Sequence, residues 1–294
     1  MASAPWKVSL HGGHSGDFCL HGGDTLEEML DAAVAFGYTT FGVTAHSPRS
    51  DANFLYPEEI EAGYSPADLD RDFASYVSKC RELARKFEGR LEVLVGAEIE
   101  IVPESGYAKE MADLRNRHDL DYIVGSVHWV DEMPIDVTRE LFDEAVNKRG
   151  GLEPFLVRYF NLVEEMVNDL QPEVVGHFDR PRLYTDNAPE FESASVVEAA
   201  NSALQACKDA GCILDLNVSA IRKELEHPYP APQIVAKAKE LGIPFCFGDD
   251  SHRISAVGEN LAEGREYLLG QGISEIKVLT RENGTISKNT VPLR

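Results

Sequence analysis

The sequence predicts an α/β fold with parallel strands inside and helices outside, closed as a barrel. Short apolar strands alternate with amphipathic helices along the whole 294 residues, a pattern that produces parallel strands joined by right-handed crossovers. Neither a GxGxxG segment after the first strand nor a P-loop is present. That removes the main sequence arguments for an open nucleotide-binding sheet. Six of the nine histidines fall at or just past the C-terminal ends of the expected strands, the face on which β/α barrels build their active sites.

The first strand is expected at Lys7–Leu10, ending at His11. A helix follows, with Thr25 and Glu28 in capping-box spacing, apolar residues at Leu26, Met29, Leu30, Ala33 and Val34, and a stop at Gly37. Further strands are expected at Thr39–Thr44, Leu91–Ala97, Tyr122–Val127, Glu173–Gly176, Cys212–Leu216 and Pro244–Phe247. Helices are expected at Pro66–Lys86, Glu104–Asn116, Arg139–Asn168, Ala194–Ala210, Ala231–Leu241 and Asn260–Leu269. These make seven strand-then-helix units with no Ser/Gly-rich linker between them. Residues 1–294 therefore read as a single domain, a common length for one barrel.

Hydrophobic residues make up 43% of the chain, enough for a large core, so wholesale disorder is excluded. With 28 Lys+Arg against 50 Asp+Glu, the net charge is −22. Such a chain repels polyanions, which disfavours nucleic acid and anionic membranes as partners. It can hold a phosphate where bound cations reverse the local field. The five cysteines are scattered, with no CxxC pairing. They read as reduced thiols in a cytoplasmic protein. No apolar run has the length or flanks of a signal peptide or a membrane span.

The strand-end histidines are His11, His14, His46, His128, His177 and His252, with His21 a little further along the first loop. Glu98 follows the Leu91–Ala97 strand, and Asp249 and Asp250 follow Pro244–Phe247. Imidazoles and carboxylates on several convergent strand ends are the ligand set of a polynuclear transition-metal site. His118, within Arg115-Asn116-Arg117-His118-Asp119, reads as part of a solvated loop. His227, between Glu226 and Pro228, is open to either reading.

Taken in order, His11-Gly-Gly-His14, Thr44-Ala-His46, Gly96-Ala-Glu98, Gly125-Ser-Val-His128, Gly176-His177-Phe-Asp179 and Gly248-Asp-Asp250-Ser-His252 resemble the successive motifs of the PHP (polymerase and histidinol phosphatase) superfamily. Three further segments are similar to its histidinol-phosphatase branch: Ser126-Val-His128-Trp-Val with Pro134-Ile-Asp136, His177-Phe-Asp179 followed by Arg182, and Asp215-Leu-Asn217…Ile221-Arg222-Lys223 with Pro228-Tyr229-Pro230. The resemblance implies a distorted seven-stranded β/α barrel with three divalent metal ions, for which the mixed N/O ligand set suits Zn, Mn or Fe. The sequence departs from the family pattern in places. The first motif is usually HxH, whereas two glycines separate His11 from His14, and Asp17 between His14 and His21 is an alternative ligand. Ala45 precedes His46 where many relatives carry an acid, and Asp249 adds negative charge near the metals.

By the same resemblance, one metal takes His11, His14, Glu98 and Asp250, and Glu98 bridges to a second held by His128 and His177. The third sits between His21, His46 and His252. The implied reaction is hydrolysis of a small phosphate monoester, L-histidinol phosphate in histidine biosynthesis, by in-line attack of a metal-bridging hydroxide. Glu98, Asp250, His252 and Asp179 are the catalytic candidates. Arg182 and Arg222 are the first candidates for the phosphoryl oxygens, because a guanidinium offers a planar pair of donors. Arg49 and Arg253 come next, with Asp136 and Tyr229 for the amino alcohol or imidazole end. Two alternatives are another small phosphate ester and a C–N bond. Barrel amidohydrolases usually anchor their metals with HxH on strand 1 and histidines late in the barrel, without the strand-2 His and strand-3 Glu found here. A third is a non-catalytic metal-stabilised module, but such modules usually lose ligands and accompany a polymerase core.

Overall fold

The structure is a computed structural model describing residues 4–282 and 284–294. Its strand segments in chain order are β1 (Val8–Ser9), β2 (His11–Gly13), β3 (Thr40–Val43), β4 (Glu92–Ile99), β5 (Tyr122–Gly125) and β6 (Trp129–Val130). They continue with β7 (Met133–Pro134), β8 (Val174–Val175), β9 (Ile213–Asn217), β10 (Phe245–Ser251), β11 (Glu275–Glu282) and β12 (Thr285–Pro292). Eight segments form one sheet in the order β1-β3-β4-β5-β8-β9-β10-β2, with every pairing parallel. β1 and β2 are halves of one strand parted at Leu10, whose N–H donates to Phe247 O at 2.8 Å. One half pairs with β3 and the other with β10, so the sheet closes into a nearly complete barrel of seven staves.

The expected strands are all present, with ends displaced by a few residues. The largest displacement matters: β10 runs on to Ser251, which puts Asp250 inside a strand. The first helix is Leu26–Phe36, with the Thr25–Glu28 capping box formed and Gly37 closing it at φ 92. The long helix expected over Arg139–Asn168 is two helices, Arg139–Lys148 and Leu152–Leu170, parted where Gly150 and Gly151 take positive φ. The second packs on Ala194–Ala210, burying Phe155, Leu156, Phe160 and Leu204 completely. Each such side chain contributes roughly 1.5–3 kcal/mol of burial free energy.

The C-terminal hairpin β11–β12 has no counterpart among the expected elements. Leu279 on β11 is fully buried among Leu10, Leu94, Tyr122, Val124, Val174, Ile213 and Cys246, the apolar filling of the barrel, and Ile286 packs against them. The hairpin thus plugs the end where the strands begin, leaving the opposite end for chemistry. A second hairpin, β6–β7, follows His128. All five cysteines are free. Among the described residues no helix is long and apolar enough to cross a membrane.

Candidate metal centre

Strand β4 carries the middle of the site. Glu98 lies near its end, and Glu100, just past it, turns to the same side, beside His46 and His128. Glu98 is buried at 1% exposure, and five imidazoles surround its carboxylate. On Oε2 stand His11 Nε2 at 3.3 Å, His14 Nε2 at 3.4 Å and His46 Nδ1 at 3.6 Å. Against Oε1 stand His128 Nε2 at 3.2 Å and His177 Nε2 at 3.0 Å.

The first strand reaches this point because of its glycines. Gly13 sits at φ +92, and a Cβ there would lie 2.0 Å from Ser251 O, so only glycine lets the chain pass that close to β10. His11 is then oriented by Asp215 on β9, whose Oδ2 lies 2.9 Å from His11 Nδ1. That leaves Nε2 facing Glu98, the arrangement by which a carboxylate fixes a metal-binding imidazole. Asp250 takes a left-handed φ of 47 where the β10–β2 register shifts. Such a bend re-aims a side chain out of the regular ladder. Asp250 faces the pocket and accepts from Ser219 Oγ at 3.2 Å, while Asp249 faces away. The Asp249 carboxylate accepts from Tyr38 Oη at 2.9 Å and Gly258 N at 2.8 Å, and burial pushes it up to about 6. The charge expected from Asp249 beside the metals is therefore spent on the outer layer of the barrel.

Five overlapping triads have ligand atoms close enough to share an ion: His14–His21–His252, His11–His177–Asp250, His14–His46–Glu98, His46–Glu100–His128 and Glu98–His128–His177. All nine residues expected as ligands fall within them. His14 gathers with His21 and His252 and with His46 and Glu98, and His11 gathers with His177 and Asp250. The extra glycine carries His14 one residue beyond the usual spacing.

The residues fit divalent ions on the structure's own evidence. His11 Nε2, His14 Nδ1, His46 Nδ1 and His177 Nδ1 are buried without a hydrogen-bond partner, an arrangement that is costly unless something completes it. Burial also holds His14 well below the ordinary imidazole range, and His177 and His252 at about 4. Against the same burial, the neighbouring carboxylates act the other way on His11 and His128, where Glu98 and Glu100 raise the imidazoles well above that range, and His21 is raised to about 10 beside Cys19 and Glu58. Burial works against an ionised Glu98, but His11 and His128 overcome it and hold the carboxylate well below its usual range.

The arginines are placed differently from expectation. Arg182 is buried and its donors are occupied by Pro228 O at 2.9 Å, His227 O at 3.2 Å and the carboxylates of Asp186 and Asp179. Arg222 donates to the backbone oxygens of Asp249 at 2.6 Å and Asp250 at 3.0 Å, supporting the bend beneath the ligand. Arg49, 2% exposed, pairs with Glu59 and lies 3.6 Å from Glu100. None of the three lines the pocket. Arg180 does, paired with Asp136 at 2.8 Å and with Nη1 buried and free of partners. Arg180 precedes Pro181, and only the turn's geometry reveals which of the two neighbouring arginines faces in.

Asp136 lines the pocket beside Tyr56 and Glu58. Asp179 accepts from Ala231 N at 2.8 Å and Arg182, outside the pocket lining, and Tyr229 is buried with Arg182 over its ring at 5.5 Å. Asp17 is exposed and accepts the Leu26 N–H at 2.8 Å, serving the helix start rather than an ion. His118 closes the helix Tyr107–His118 against Phe73 instead of lying in a loop. His227 packs on Tyr267, and Arg253 is exposed. Sequence reasoning missed Asp215 as the partner of His11, and Arg180. It also missed Glu100, although the i, i+2 spacing from Glu98 at a strand end carries that signal.

Comparison with known proteins agrees with this geometry. The PHP domain model matches residues 11–219. A protein of Schizosaccharomyces pombe named "Probable histidinol-phosphatase" is 34% identical over 96% of this chain and 93% of its own. The histidinol-phosphatase of Saccharomyces cerevisiae is 30% identical over 88% of this chain and 87% of its own. The crystal structure of the Lactococcus lactis histidinol phosphate phosphatase, complexed with zinc, L-histidinol and phosphate, superposes with a TM-score of 0.68. It covers 96% of this chain and 99% of that one at 18% identity, a likeness of fold. The chain belongs to the PHP domain family, in its histidinol-phosphatase branch.

Proposed function

We propose that this chain, acting as one domain over 1–294, is a metal-dependent phosphomonoesterase that hydrolyses L-histidinol phosphate to L-histidinol and phosphate. The observation that carries the reading is Glu98, a buried carboxylate with five imidazoles around it in one pocket. The names and substrates of the relatives support the choice of ester. Three divalent ions, Zn, Mn or Fe, are the complement the family resemblance implies, and the clustered His, Glu and Asp ligand atoms support divalent metal binding here. His11, His14, His21, His46, Glu98, His128, His177, Asp250 and His252 would hold them. Divalent ions in such a site supply an activated water at neutral pH and neutralise charge on phosphoryl oxygens.

The remaining work falls to side chains of the chain itself. Arg180 offers its free Nη1 to a phosphoryl oxygen, while Asp136 fixes the guanidinium from the other side. Asp136 and Glu58 make the outer pocket acidic, which suits a cationic amino alcohol. Asp179, Arg182 and Arg222 serve the loops that carry these groups. A small phosphate ester is the only partner this pocket requires, and five unpaired thiols support action in the cytoplasm.

The test is kcat/KM for histidinol phosphate beside sugar and nucleoside phosphates and a panel of amides, with metal content determined on the same sample. Strong preference for histidinol phosphate is expected. A preference below about tenfold, roughly 1.4 kcal/mol of discrimination, would replace the reading with a general phosphatase.

A further inference from the structure

We propose that Glu100 is a positioning residue that holds the imidazole of His128 from behind and thereby sets how tightly the centre keeps its metal; this rests on the metal-dependent reading above. Glu100 is fully buried, two residues beyond Glu98 on the same face of the chain. Its Oε2 lies 3.2 Å from His128 Nδ1. Its Oε1 lies 3.1 Å from His46 Nδ1 and accepts the Tyr56 hydroxyl at 2.9 Å.

His128 shows which role this carboxylate plays. The Nε2 atom of His128 is the one turned to Glu98 and His177, so the nitrogen facing Glu100 is the opposite one. A proton on Nδ1, donated to Glu100, leaves the Nε2 lone pair pointing into the site. The other oxygen of Glu100 accepts the Tyr56 hydroxyl and lies near His46 Nδ1, the nitrogen that also faces Glu98, so the orienting contact is the one to His128.

A buried carboxylate needs partners that keep it ionised. Arg49 lies 3.6 Å away, locked by Glu59 and stacked on the Tyr56 ring at 4.3 Å, and Tyr56 itself donates to Glu100. This arrangement gives Arg49 a task outside the pocket. Glutamine is a poor replacement for Glu100, because its amide puts a donor where the Tyr56 hydroxyl donates and Arg49 approaches, and it removes the charge that holds the His128 proton on Nδ1.

The experiment follows metal transfer from the protein as purified to a chromophoric chelator, with bound metal counted by mass spectrometry. Glu100→Gln is expected to release metal about 10- to 100-fold faster than the parent chain, the range for loss of a ligand's carboxylate partner. Glu100→Asp should recover part of that loss, and the visible spectrum of the Co²⁺-loaded Gln variant should differ from that of the parent. Tyr56→Phe removes a single hydroxyl and should speed release by a smaller factor, about two- to tenfold, so the idea stays testable if Glu100→Gln does not fold. A metal-bearing parent with unchanged release and Co²⁺ spectra in these variants would overturn the role of Glu100 alone. A parent chain without stoichiometric metal would instead overturn the reading beneath it.

Discussion

Arg180 and Asp136 can be separated by a double-mutant cycle. They form an ion pair at 2.8 Å with both side chains about nine-tenths covered. Arg180→Met therefore does two things: it removes the proposed phosphate donor, and it strands Asp136 as a buried unpaired charge. The second effect alone costs about 3–5 kcal/mol in a fully buried pair, and the lower end applies beside an open pocket. The first is a charge-assisted hydrogen bond of about 1.5–3 kcal/mol, equivalent to roughly a 10- to 150-fold fall in kcat/KM. Adding Asp136→Asn relieves the stranded charge without returning the donor. In thermal unfolding, the double variant should regain most of the stability that Arg180→Met loses. In steady-state assays with histidinol phosphate, and in inhibition by inorganic phosphate, it should stay impaired. A double variant within twofold of the parent in kcat/KM would reduce Arg180 to a structural partner of Asp136 and remove it from the phosphate site.

Other outcomes follow from the same structure. Glu98→Ala takes away the acceptor shared by five imidazoles; the purified variant should contain far less metal and hydrolyse no measurable histidinol phosphate. Asp215→Asn leaves His11 without its anionic partner at 2.9 Å, and chelator competition should show metal affinity lower by about 10- to 100-fold. Leu279→Ala empties part of the plug at the closed end and should lower unfolding free energy by about 2–5 kcal/mol, measured in urea, with kcat/KM of the folded fraction nearly unchanged. Gly13→Ala forces a Cβ to within 2.0 Å of Ser251 O. Its melting temperature and metal content should fall together, because the same backbone stretch positions His14.

The sequence reveals the barrel and the ligand set more readily than the groups behind them. Alternating strands and helices are local patterns, and the Thr25–Glu28 cap with Gly37 is a local signal that the folded chain uses directly. The histidines stand out because strand ends concentrate them on one face. Arg180 and Arg182 differ in role through the path of one turn around Pro181, which no periodicity encodes. The same limit hides Asp215, because its partner His11 is remote in sequence and adjacent only once the barrel closes. The C-terminal hairpin escaped because much of its surface is exposed and only Ile276, Val278 and Leu279 on β11 are buried. Glu100 was legible in principle: two acids on alternate residues at a buried strand end require partners, and His128 and Tyr56 supply those of Glu100.

The central claim is that distant parts of the chain meet to chelate divalent cations around Glu98. Mass-spectrometric metal analysis of protein purified without affinity metals or chelators tests it most directly. More than one equivalent of Zn, Mn or Fe per chain is the expected result, lost in Glu98→Ala. Parent protein that is folded and active yet carries no stoichiometric divalent metal would contradict it.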